Sequence, residues 1–119
     1  MIRIKKKGKL EIINVESKGR EEKITFIAQA GTNLKNYLIY DATFTADGKQ
    51  SNRGRHVFPF PNYEVDARQK ITLIITSGIK IKRPATFYWH RNSPVINDTG
   101  DYLVLVEIKS EQRFLVAPK

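Results

Sequence analysis

Cysteine is absent from the chain. Disulfide bridges, thiolate catalysis and cysteine-based zinc sites are therefore excluded together, and a reducing compartment is favoured. Histidine occurs only as His56 and His90, which leaves little material for a general base or an imidazole metal site. No apolar run approaches the ~20 residues that a membrane-spanning helix needs. The basic start Met1–Gly8 leads into no apolar stretch, so no signal peptide is expected, and the cytoplasm is the favoured location. A glycine-rich phosphate cradle is missing as well, because Arg53-Gly54-Arg55 is too short for one. No cofactor is expected.

What remains is an ordinary globular composition. With 119 residues, 40% of them hydrophobic and 28% charged, the chain is long enough to bury one core without staples. A single domain over residues 1–119 is expected. The charge balance is less ordinary: 21 Lys and Arg against 12 Asp and Glu give +9. Such an excess points to a polyanion partner, or else to lysines that keep a β-rich protein soluble and blunt its edges. The basic residues expected to serve a polyanion are Arg53 and Arg55, Lys80, Lys82 and Arg83, and Arg91.

Little in the sequence has helical period. β-Branched and aromatic residues fall in short runs punctuated by Gly, Asn, Asp and Pro, which is the pattern of an all-β sandwich or barrel. Strands are expected over Leu10–Val15 and over Ile24–Ala30, the second with Ile24, Phe26 and Ala28 on one face. Gly31-Thr32-Asn33 reads as a turn, Tyr37–Phe44 as a third strand, and Asp47–Arg55 as an exposed polar loop opened by Asp47-Gly48. Val57–Phe60 is a short strand that Pro59 confines to an edge. The continuous apolar run Ile71–Thr76 suggests a strand buried on both faces. Ile79–Lys82 alternates like an edge extension, ended by Pro84. Tyr102–Ile108 is expected to form a hairpin with Arg113–Val116 across Lys109–Gln112. Trp89 has the area to plug the space between two sheets, with Phe26, Ile39, Leu73 and Val104 also inward.

The order of certain residues resembles a known family. Leu34-x-x-Tyr37-x-Ile39-x-Asp41 is followed by His56-x-Phe58-Pro59, then by Ile71-Thr72-Leu73 through Thr76-x-Gly78. Tyr88-Trp89 and Asn97-x-x-Gly100-Asp101-x-Leu103-x-Leu105 complete the set, and Glu22–Ile27 matches an early strand. This ordered set, over residues 11–108, is similar to the lamin tail domain. Tyr37 stands where that family usually has Trp. The resemblance implies an immunoglobulin-like antiparallel β-sandwich of about seven to nine strands. It also implies a binding role toward protein partners and, in some members, nucleic acid or chromatin.

Chemistry is hard to find. Ser93, His90 and Asp98 or Asp101 could be assembled into a nucleophilic set, since such sets are defined by geometry. No Gly-x-Ser-x-Gly elbow activates Ser93, however. Asn97, Asp98 and Asp101 supply too few oxygens for a Ca²⁺ site, which needs six to eight, and read better as a turn. Aromatics mixed with positive charge occur at Phe58, Phe60 and Tyr63 near Arg53 and Arg55, and at Tyr88–Arg91. Such mixtures stack bases in some proteins but are more often core. The expectation is a non-catalytic binding module with a basic surface, taking a protein partner or a polyanion and no evident small-molecule substrate. A small nucleic-acid-binding barrel of the OB type is the alternative, and strand count is what separates the two.

Overall fold

The computed structural model describes residues 9–18, 21–42, 56–76, 82–89 and 102–118. Alternation builds the first sheet. β1 (Leu10–Lys18) pairs antiparallel with β2 (Glu21–Ala28), and β2 pairs antiparallel with β7 (Lys70–Thr76). Ile24, Phe26 and Ala28 of β2 and Ile71, Leu73 and Ile75 of β7 all point into the core and are fully buried. The intervening Thr72 and Ile74 are only half-buried. β7 therefore alternates rather than being buried on both faces.

The fourth strand of that sheet, β8 (Thr86–Tyr88), runs parallel to β7. The turn before it sets this direction. Ala85 sits in the left-handed region at φ 53°, gives its N–H to the Tyr63 hydroxyl at 2.9 Å, and accepts the Thr72 N–H at 2.9 Å. The chain so re-enters beside the start of β7. The sheet, in the order β1-β2-β7-β8, is mixed rather than wholly antiparallel.

The second sheet has the order β5-β4-β9: β4 (Tyr37–Ala42) in the centre, β5 (Val57–Pro59) and β9 (Tyr102–Glu107) on its flanks, all antiparallel. Pro59 does fall on an edge strand, where a missing N–H costs no ladder bond. A small two-stranded sheet, β3 (Thr32–Asn33) with β6 (Glu64–Val65), closes one end. The expected turn at Gly31–Asn33 is thus partly strand. It continues into a single 3-10 turn, Leu34–Asn36, capped by the Asn33 side chain. That side chain also accepts the Tyr63 N–H at 3.0 Å.

The two larger sheets face each other across one core. Tyr37 and Ile39 of β4 and Phe58 of β5 meet Phe26, Leu73 and Phe87 of the first sheet, and Trp89 is buried among them. The aromatics form a chain: Trp89 meets Phe58 at a tilt at 5.8 Å, and the remaining pairs meet edge-on, Phe58 with Phe60 at 5.2 Å, Phe60 with Phe26 at 5.5 Å and with Phe87 at 5.7 Å, and Phe87 with Tyr63 at 5.3 Å. Edge-to-face contact of this kind adds to area burial. The protein is an all-β sandwich, with nine strands and no α-helix among the described residues. Two facing sheets replace the single five-stranded sheet of the OB-type alternative.

Two strand assignments need correction. Val104 is not inward: it lies opposite Tyr40, while Leu103 opposite Asp41 and Leu105 opposite Ile39 face the core. Arg113–Val116 forms no hairpin with β9. It pairs with no strand among the described residues, and Phe114, Leu115 and Val116 are 84%, 89% and 75% exposed. The cause is a long-range bond: the Ile108 N–H bonds the Asn36 carbonyl at 2.7 Å, which leads the chain past the 3-10 turn instead of back along β9. Of the other sequence readings, the loop at residues 47–55, the turn at 97–101 and residues 79–81 of the expected edge extension Ile79–Lys82 lie outside the described residues, and Lys82 itself is in no strand.

Candidate functional site

The sequence singles out six basic residues. Lys82 and Arg83 are adjacent and exposed on the turn before β8. Arg53, Arg55, Lys80 and Arg91 lie outside the described residues, as do His90, Ser93, Asn97, Asp98 and Asp101. The described structure therefore brings together only Lys82 and Arg83. The aromatics suggested as a stacking platform are elsewhere occupied: Phe60 and Trp89 are buried, and Phe58 and Tyr63 pack against the core.

A buried carboxylate meets a half-buried histidine at the base of the β4–β5 connection. Asp41 is 1% exposed, and its Oδ1 accepts the His56 backbone N–H at 2.8 Å and meets the His56 Nδ1 at 3.0 Å. The Asp41 N–H returns a bond to the His56 carbonyl at 3.2 Å. Alternation explains the placement, since Tyr37, Ile39 and Asp41 share the inward face of β4. These bonds clasp the two ends of the segment between β4 and β5. No hydroxyl nucleophile lies in the pair, and no group of three or more His, Asp or Glu is placed to hold a metal among the described residues. What the pair can do is hold two strands together.

The largest departure from a typical sandwich is the outer face of the β5-β4-β9 sheet. Tyr40 lies opposite both Val57 and Val104, and Leu38 opposite both Pro59 and Val106. All six side chains are uncharged and all but the tyrosine hydroxyl is apolar. They are half-buried or exposed, Val57 reaching 52%. The outer face of the first sheet is unlike this. There the register places Glu11, Asn14, Glu16, Lys23, Thr25, Lys70 and Thr72 beside Ile27, Ile74 and Tyr88, and Lys23 pairs with Glu16 at 3.5 Å. A solvated sheet face alternates polar residues outward; the first sheet carries four charged side chains, Glu11, Glu16, Lys23 and Lys70, on its outer face, and the six outward residues of the second carry none. Large contiguous apolar patches are a feature that the contact surfaces of folded proteins share.

Sequence reasoning missed this face. The signal for it is the unbroken apolar run of β9, Tyr102–Val106, together with Leu38-Ile39-Tyr40: two strands with no polar residue to give to solvent. No family model matches the chain, and no curated protein matches it.

Proposed function

We propose that this chain is a non-catalytic interaction module, a lamin-tail-like, immunoglobulin-like sandwich that binds a protein partner through the outer face of its β5-β4-β9 sheet. The observation that carries the reading is the uncharged face of Leu38, Tyr40, Val57, Pro59, Val104 and Val106, set against the charged outer face of the other sheet. Interfaces concentrate aromatic and aliphatic groups at their centre and leave charge to the rim. Tyr40, flanked on both sides by valine, is placed like an anchor residue. The ordered residues of the family resemblance support the same class, since lamin-tail domains act by binding.

The charge supports a second reading, in which Arg53, Arg55, Lys80, Lys82, Arg83 and Arg91 hold a polyanion. The two readings differ in salt dependence: apolar contact is insensitive to salt, whereas phosphate contacts release counterions.

The test is a peptide selection against the immobilised chain, followed by titration of the selected ligand into the parent and into a Val57→Lys, Val104→Lys variant. Binding to the parent and a loss of tenfold or more in the variant support the face, given an unchanged fold. Equal binding by both proteins overturns it.

A further inference from the structure

We infer that one end of the sandwich docks on an anionic lipid bilayer, with a set of unpaired cations on the headgroups and Phe114-Leu115-Val116 entering the acyl boundary beside them. The inference goes beyond the protein-partner reading and uses a different part of the surface.

The topology gathers the charge. β1, β7 and β8 begin, and β2 ends, at the same end of the first sheet. The Lys9 N–H reaches the Tyr37 hydroxyl at 3.2 Å, and Tyr37 lies opposite Glu107, so β4 begins and β9 ends there too. Lys9, Lys35, Arg68, Lys70, Lys82 and Arg83 stand at this end, and each is exposed. None of the six is in an ion pair among the described residues, whereas Lys109 and Arg113 nearby each hold a glutamate. Outside those two pairs, the carboxylates of this end are Glu11, Glu64 and Asp66, half the number of the cations. Arg68 points the same way by its backbone. It sits in the left-handed region at φ 70°, which glycine adopts without cost, yet the position carries an exposed guanidinium. Strain of that kind is kept where the side chain has work to do.

Charge alone suits any polyanion, and the tail selects lipid. Residues 108–113 run along a shallow cleft with Lys35 and Asn36, so Phe114 emerges beside these cations. Phe114, Leu115 and Val116 are at least 75% exposed. A nucleic acid can stack a base on Phe114 but leaves Leu115 and Val116 in water. A bilayer takes all three in its acyl boundary while the cations meet its anionic headgroups. Shape agrees with this choice. Strand ends at ~4.8 Å spacing in two sheets ~10 Å apart spread the cations over a plane instead of lining a groove. Each signal alone gives weak attachment, and the two act together.

Cosedimentation of the full chain with vesicles tests the inference. The parent should sediment with phosphatidylcholine vesicles containing about 30% phosphatidylserine and remain in solution with phosphatidylcholine alone. Lys82→Glu with Arg83→Glu should lower the partition coefficient about tenfold or more, and Phe114→Ser with Leu115→Ser should lower it by a similar factor. All four positions are outside the core, and circular dichroism checks each fold. No sedimentation with the anionic vesicles, or binding that neither pair weakens, overturns the proposal. Binding weakened by the charge pair alone overturns it as well, and duplex DNA that then displaces the vesicles names nucleic acid as the ligand. The protein-partner reading is tested separately by Val57→Lys with Val104→Lys, so either can fail without the other.

Discussion

His56 gives its backbone N–H and presents its ring Nδ1 to the same oxygen of Asp41, at 2.8 and 3.0 Å, while the other carboxylate oxygen of Asp41 is buried with no hydrogen-bond partner among the described residues. The carboxylate acts as a clasp between β4 and the start of β5, and as a clasp it should matter to stability in proportion to the bonds removed.

Asp41→Ala removes the acceptor of both bonds and leaves the His56 N–H without it. Hydrogen bonds to a charged group contribute about 1.5–3 kcal/mol each in such settings, and an orphaned buried donor adds to the loss. Asp41→Ala should therefore cost at least ~2 kcal/mol, and His56→Gln only ~1 kcal/mol, since the backbone bond remains. Urea unfolding of both variants checks the ranking. Replacing His56 and His90 together by Gln should leave binding intact once stability is allowed for.

Trp89 is 7% exposed and packs on Phe58 at a centroid distance of 5.8 Å. Trp89→Ala should cost ~3–5 kcal/mol, as buried aromatic truncations do. Thermal unfolding followed by circular dichroism measures it. A loss under ~1 kcal/mol would show that the ring is not a central part of the core.

Tyr37 links three elements. Its hydroxyl accepts the Lys9 N–H at 3.2 Å and donates to Glu107 at 3.3 Å. Burial pushes its pKa above the ordinary 10.0, and the Glu107 charge pushes it the same way. A folded pKa above the unfolded one gives stability that is complete below pH 10.0 and lost as pH rises through the folded value. Glu107 has the opposite sign: the Lys109 hydrogen bond holds it below 4.5, so its contribution is present above that pH and fades as pH falls. Unfolding free energy should fall on the alkaline side of pH 10.0, and Tyr37→Phe should remove that loss. An unchanged alkaline limb in the variant would contradict the assignment.

Much of the sandwich was legible in the sequence because alternation marks a half-buried strand. Ile24, Phe26 and Ala28 share one face as their spacing requires, and Pro59 predicts an edge. β9 was legible as a strand but not in its facing. Tyr102-Leu103-Val104-Leu105-Val106 offers no polar residue to set the parity, so only pairing with β4 decides that Leu103 and Leu105 face inward. The same featureless run hid the apolar outer face. The hairpin with Arg113–Val116 failed for a different reason: the Ile108–Asn36 bond is long-range, and no local turn signal reports it. Asp41–His56 was equally hidden, since the two residues are brought together only by the register of β4 against β5.

The charge reading makes its own demand. If +9 serves a polyanion, binding of duplex DNA should be largely sequence-independent, with a slope of about −0.9 per phosphate contact in log K against log salt. Charge reversal at Arg53 and Arg55, or at Lys82 and Arg83, should reduce both affinity and slope. A titration with no binding at ~0.15 M salt assigns the lysines and arginines to solubility instead.

The central claim is that the β5-β4-β9 outer face is the working surface, and an NMR footprint of a selected peptide on the isotope-labelled chain tests it most directly. The account predicts shifts centred on Leu38, Tyr40, Val57, Val104 and Val106, retained when salt is raised. Shifts centred instead on the outer face of the first sheet, or on Lys82 and Arg83 and lost with salt, would contradict it.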